Sequence, residues 1–196
     1  MKERELESLR AQVDTCQRCK LREGCQRVVF GEGNPEASLM LIGEGPGAEE
    51  DKLGRPFVGR AGQLLDKILE ACGFERFTHT YIGNIVKCRP PQNRIPTDEE
   101  RLTCRPYLHR QIGIIEPKII VLLGATALQG LIDPQAKITK ARGNWLMWQG
   151  IWVMPTYHPA ALLRNPQLKR PTWEDFKKVV AKYRELVDPN HYSANC

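Results

Sequence analysis

Apolar residues along the chain follow two rhythms. Short, nearly unbroken runs at 38–43, 80–86, 118–123 and 151–154 read as strands covered on both faces. Between them lie stripes at helical spacing: Leu6, Leu9 and Val13 within 4–13, then Leu64, Leu65, Ile68 and Leu69 up to Gly73. Leu128 and Leu131 mark a short helix, and Phe176, Val179, Val180 and Tyr183 mark a last helix starting at Thr172. Thr97-Asp98-Glu99-Glu100 has capping-box form and starts another helix, which Pro106 is expected to interrupt just after Cys104. Strands alternating with helices predict a doubly wound, three-layer α/β/α domain with a central, mainly parallel four-stranded sheet. The length suits a single domain spanning 1–196, its tail loose from about 188.

In such folds ligands bind beyond the carboxyl ends of the strands. Three polar residues fall there: Glu44 after the first strand, Asn84 late in the second, His158 after the fourth. The first strand runs into Gly43-Glu44-Gly45-Pro46-Gly47, where glycines let backbone approach a bound group. This loop is no phosphate cradle. It lacks Gly-Lys-Ser/Thr and the G-x-G-x-x-G spacing, Pro46 removes an amide donor, and Glu44 repels a phosphate. An acid beside close backbone suits a neutral, flat, hydrogen-bonding ligand.

The formal charge of +6 permits a polyanionic partner. Lys87, Arg89, Arg94, Arg101, Arg105 and Arg110 crowd one stretch; Arg164, Lys169 and Arg170 form another. No apolar run approaches a membrane span, and Met1-Lys2-Glu3-Arg4-Glu5 does not begin a signal peptide, so a cytoplasmic location without a membrane partner is expected. Seven cysteines, an odd number, argue against a complete disulfide set and for ligation. Cys16 and Cys19 are spaced to face one metal; Cys88 and Cys104 can complete four thiolates, with Cys25 as competitor. Zinc and an iron–sulfur cluster both use four thiolates, and spacing does not choose between them. Cys72 is expected in the core and Cys196 as a free thiol.

Four stretches together resemble the family 4, iron–sulfur branch of the uracil-DNA glycosylase superfamily. They are Gly43–Gly47, Gly54–Gly62, Asn84–Pro91 and Tyr157–Leu163. The resemblance runs in order from about residue 10 to 187. It implies a [4Fe–4S] cluster on Cys16, Cys19, Cys88 and Cys104, and hydrolysis of the uracil–deoxyribose bond to leave an abasic site, initiating base excision repair. Uracil would be bound by Glu44, Gly45, Gly47, Phe57, Asn84 and His158, of which His158, Asn84 and Glu44 would be catalytic. Phe57 would stack on the extruded ring, its alternative being a core residue. Asn84 would read N3–H and O4, its alternative being a backbone-paired strand end. His158 would hydrogen-bond O2 as charge develops there, and Glu44 would contact the base and position water. Best-studied relatives carry a water-activating Asp where this chain has Gly45. Arg60, Leu162, Leu163 and Arg164 would meet DNA, the leucines as a wedge.

The expected partner is uracil-containing DNA, single- or double-stranded, met by a monomer. No lysine is placed for a Schiff base, so the activity would be monofunctional. Two rivals remain at this point: a covalent or tight uracil-DNA binder without turnover, and a non-enzymatic zinc module that binds nucleic acid. The first is marked in its branch by a histidine in an inserted basic loop, and Arg89–Pro96 contains none.

Overall fold

The computed structural model describes residues 1–196. Six strands form one sheet: β1 (Glu32–Gly33), β2 (Leu39–Gly43), β3 (Thr80–Asn84), β4 (Ile119–Leu123), β5 (Leu146–Trp148) and β6 (Ile151–Thr156). Their order is β1-β3-β2-β4-β6-β5. The inner four are parallel, and the two short edge strands pair antiparallel to them. The expected four-stranded sheet is thus the centre of a six-stranded one. The edges escaped notice because Glu32–Gly33 and Leu146–Trp148 are too short to carry a period. Nine helices surround the sheet: α1 (Lys2–Asp14), α2 (Leu21–Gly24), α3 (Ala48–Leu53), α4 (Arg60–Ala71), α5 (Asp98–Ile115), α6 (Ala125–Leu131), α7 (Ile138–Ala141), α8 (Pro159–Arg164) and α9 (Lys169–Leu186).

Side-chain alternation divides the core into two layers. Met40, Ile42, Ile120 and Leu122 point to one face with α1, α5 and α6; Leu39, Leu41, Ile119, Val121 and Leu123 point to the other with α4 and α9. Every residue of β2, β3 and β4 is buried, as the unbroken apolar runs require.

Three expectations change. The helix from Asp98 runs through Pro106 to Ile115. Pro106 removes the bond to the Leu102 carbonyl, but both residues lie on the exposed face, where water can satisfy that oxygen. The last helix begins at Lys169, one turn before Thr172. The tail is held rather than loose. Ser193 Oγ donates to Ala71 O at 2.9 Å, His191 Nε2 lies 2.9 Å from Cys72 O, and the His191 ring stacks on Phe74.

The order of the inner strands fixes where a ligand can sit. From β2 the chain moves to β3 on one side, then returns to β4 on the other. That reversal opens a crevice at the carboxyl ends of β2, β3, β4 and β6.

Candidate active site

Gly43 closes β2, and a Cβ there would lie 2.5 Å from Phe57 Cζ and 2.6 Å from Asn84 Oδ1. Only glycine lets the ring and the amide meet over the strand end. Beyond β3, Ile85 N–H donates to Gly43 O at 2.9 Å and Val86 N–H to Glu44 O at 3.2 Å. These bonds carry the parallel pairing past the strand and set Asn84 beside the Glu44 loop. Asn84 is 2% exposed, and its buried Oδ1 has no hydrogen-bond donor. The strand-end alternative, in which backbone satisfies this atom, does not occur.

His158 is the N-cap of α8, and its Nδ1 accepts the Ala160 N–H at 3.0 Å. That bond puts the ring proton of the neutral tautomer on Nε2, leaving Nε2–H as a donor. Desolvation pushes the His158 pKa down to about 4, with Arg164 adding repulsion and Glu50 opposing it. The imidazole is therefore neutral at physiological pH. Gly124, at φ 96°, admits it: a Cβ there would stand 3.0 Å from His158 Cβ.

Phe57 has φ 51° and is 5% exposed, packed in the layer with Leu65 and Leu69. Arg76 holds it there, donating to Phe57 O at 3.0 Å and to Pro56 O. The Phe57 and His158 rings stack at 5.5 Å between centroids and 27° between planes. Phe57 is thus both a core residue and a wall of the crevice.

Glu44, Gly45, Gly47, Phe57, Asn84 and His158 all line one cleft of about 740 Å³, with Arg60 and Arg164. The volume suits a base with part of its sugar-phosphate chain. The wedge divides. Leu162 is 2% exposed and counts among the core residues, while Leu163 is 39% exposed beside it.

Two contributors escaped the sequence reading. Thr126, in the first turn of α6, donates its hydroxyl to Glu44 Oε2 at 2.5 Å. Glu50 Oε1 accepts Val58 N–H at 3.1 Å and Gly59 N–H at 3.0 Å, bracing the loop that carries Phe57. Both residues read locally as ordinary helix-start residues, and only the folded chain brings them to the cleft.

Behind the cleft, Cys16, Cys19, Cys88 and Cys104 line one mostly apolar cavity with Val13, Leu21, Val28 and Tyr107. No group of three or more His, Cys, Asp or Glu side chains is arranged to hold a metal ion as the side chains stand. Burial raises the pKa of the Cys19, Cys88 and Cys104 thiols. Cys25 stands outside the cavity lining, its sulfur within hydrogen-bond reach of Cys88 and 3.4 Å from Arg22 Nη1. Cys72 is in the core as expected, and Cys196 packs beside it. Lys87, counted above in the basic stretch, lines the same cavity and is 1% exposed, so its charge is not presented to a polyanionic partner at the surface. Burial pushes its ammonium down to about 8, against the pull of Cys104.

Residues 30–179 match the family model described as uracil DNA glycosylase superfamily. The Type-4 uracil-DNA glycosylase of Sulfurisphaera tokodaii is 46% identical, the match covering 96% of this chain and 88% of that protein. The Type-4 uracil-DNA glycosylase of Thermotoga maritima is 49% identical over 88% of this chain and 92% of its own. That of Saccharolobus solfataricus is 45% identical over 89% and 84%.

Proposed function

The chain belongs to the uracil-DNA glycosylase superfamily, and we propose that it excises uracil from DNA by hydrolysing the N-glycosidic bond, as a monofunctional glycosylase. The observation that carries this reading is the orphaned Asn84 Oδ1, a buried acceptor in the cleft with no protein donor. A buried acceptor left unpaired costs about 1–3 kcal/mol, so it marks a place where a ligand's donor belongs. Uracil N3–H is that donor, and the Asn84 amide N–H returns a bond to O4. Cytosine offers an acceptor and an amino group in the same places and leaves both partners unpaired.

The uracil must first leave the duplex, at a cost of a few kcal/mol. Phe57 offers it a stacking face, while Leu163, Arg60 and Arg164 meet the strand it leaves. As the C1′–N1 bond breaks, its electron pair passes to the base and negative charge gathers on O2. His158 Nε2–H and the Gly45 N–H donate to that oxygen. Glu44, held by Thr126, orients the water that attacks C1′, and the proton lost by that water balances the base anion. The neutral state of His158 suits this task, since it donates without having to shed a charge on product release.

The donor set of the cavity fits a [4Fe–4S] cluster in kind and number: Cys16, Cys19, Cys88 and Cys104, in apolar surroundings. When bound, the cluster supplies the positive centre that converts these thiols to thiolates. Its place behind the Asn84–Cys88 segment suits a structural role.

Incubation with a uracil-containing oligonucleotide, then alkali, tests the reading: strand cleavage at uracil and none at a thymine control. A denaturation-resistant crosslink without turnover would instead favour the covalent binder.

A further inference from the structure

We propose that Ile95 is a second DNA wedge, standing on the flank of the cleft opposite Leu163, and that it favours uracil held in duplex DNA. Of the large apolar side chains that the fold leaves exposed, Ile95 alone lines the cleft, and it is 66% exposed. It follows β3, whereas Leu163 follows β6, and β2 and β4 lie between those two strands. The two residues therefore stand on opposite flanks of the base-binding site. Arg60 and Arg164 line the same cleft and offer charge to the phosphates of a strand laid across it.

The loop that carries Ile95 is braced. Arg94 donates to both Glu100 oxygens, at 2.8 and 2.7 Å, and from Nη1 to Ile95 O at 3.1 Å. Glu100 also accepts Thr97 N–H at 2.8 Å, which ties the loop to the capping box of α5. Pro96, next in sequence, is buried. A lone exposed isoleucine is ordinary on a protein surface. One clamped through its own carbonyl at the mouth of the cleft is a preorganised contact, which binds without the cost of ordering a loop. Apolar wedges enter base steps, unstack them and kink the duplex. Pressed from both flanks, the stack releases its central base at lower cost. A single strand has no pairing to break, so it gains little from Ile95.

This inference rests on the uracil-excision reading above, and its test separates the two. Ile95→Ala removes the wedge at an exposed position and should keep the melting temperature and iron content of the parent. On one uracil oligonucleotide, its kcat/KM should fall about tenfold when the strand is paired and less than about twofold when it is single. Ile95→Leu should restore the duplex rate. An equal fall on both forms, or no fall on the duplex, overturns the proposal. A second readout needs no turnover. A fluorescent aminopurine is placed beside a uracil whose sugar carries fluorine at C2′, which blocks hydrolysis. It should brighten when the parent binds the duplex, and much less with Ile95→Ala. Equal brightening by the two proteins overturns the wedge. A parent that excises uracil from neither form fails the functional reading, while the fluorescence still decides for Ile95.

Discussion

The cleft and the cysteine cavity lie at opposite ends of one five-residue segment, Asn84 to Cys88, yet they are built on different principles. Protein bonds alone set the cleft's main groups: Ala160 fixes the His158 tautomer, Thr126 fixes Glu44, and Glu50 braces the Phe57 loop. Asn84 Oδ1 is left to be satisfied from outside. The cavity is the reverse. Its thiols are pushed toward protonation by burial, and it holds an ammonium that no carboxylate neutralises. A prebuilt site selects its ligand; an unbalanced one needs its ligand to be stable. Selectivity should therefore live in the cleft and stability in the cavity.

The sharpest way to break that contrast is Cys88→Ala. Loss of bound iron and a larger fall in melting temperature than for any cleft variant are expected, read by iron assay and calorimetry. Full iron retention would move the ligand role to Cys25, whose sulfur adjoins Cys88. Asn84→Ala should do the opposite. Excision should fall by at least about 100-fold, because the pocket loses both bonds to the base edge. Its melting temperature should stay level or rise, because an unsatisfied buried acceptor is removed. Thr126→Val takes away the hydroxyl bond to Glu44, and kcat should drop about tenfold without loss of iron or fold.

The smallest effect expected is an absence of change. His158 is held below the usual imidazole range, to about 4, so its charge should not alter between pH 8 and 5. Its contribution to kcat should be flat across that window and change only as pH falls through about 4. The stability sign follows the same shift. The unfolded histidine takes up a proton near 6.5 and the folded one resists until about 4, so stability declines as pH falls from 6.5 to 4. A pH–rate inflection near 6.5 assigned to His158 by its Ala variant would show a solvated ring and undo the contrast.

Much of the fold was legible in the chain because burial on both faces of a parallel strand leaves an unmistakable apolar run, as at Leu39–Ile42 and Ile119–Leu123. The elements misjudged were those with weak local signals. Pro106 read as a break because its tolerance depends on which face of α5 meets water. Leu162 and Leu163 are neighbours of one kind, and only the packing of α8 separates a core residue from an exposed one. The tail looked loose because its composition is polar, but its polar atoms find carbonyls at the end of α4.

By itself, the sequence determined the α/β/α class, the ring of Glu44, Asn84 and His158 at the strand ends, and the thiol set, since each is written in spacing along a single segment or strand end. Tertiary structure alone decided which atoms are satisfied: the free oxygen of Asn84, the proton on Nε2 of His158, the buried ammonium of Lys87. The physical reason is that solvation and hydrogen-bond partnership belong to neighbours brought from distant parts of the chain. Thr126 meets Glu44 across 82 residues, and Lys87 and Cys104 come to line one cavity across a helix start, and no local pattern encodes such meetings.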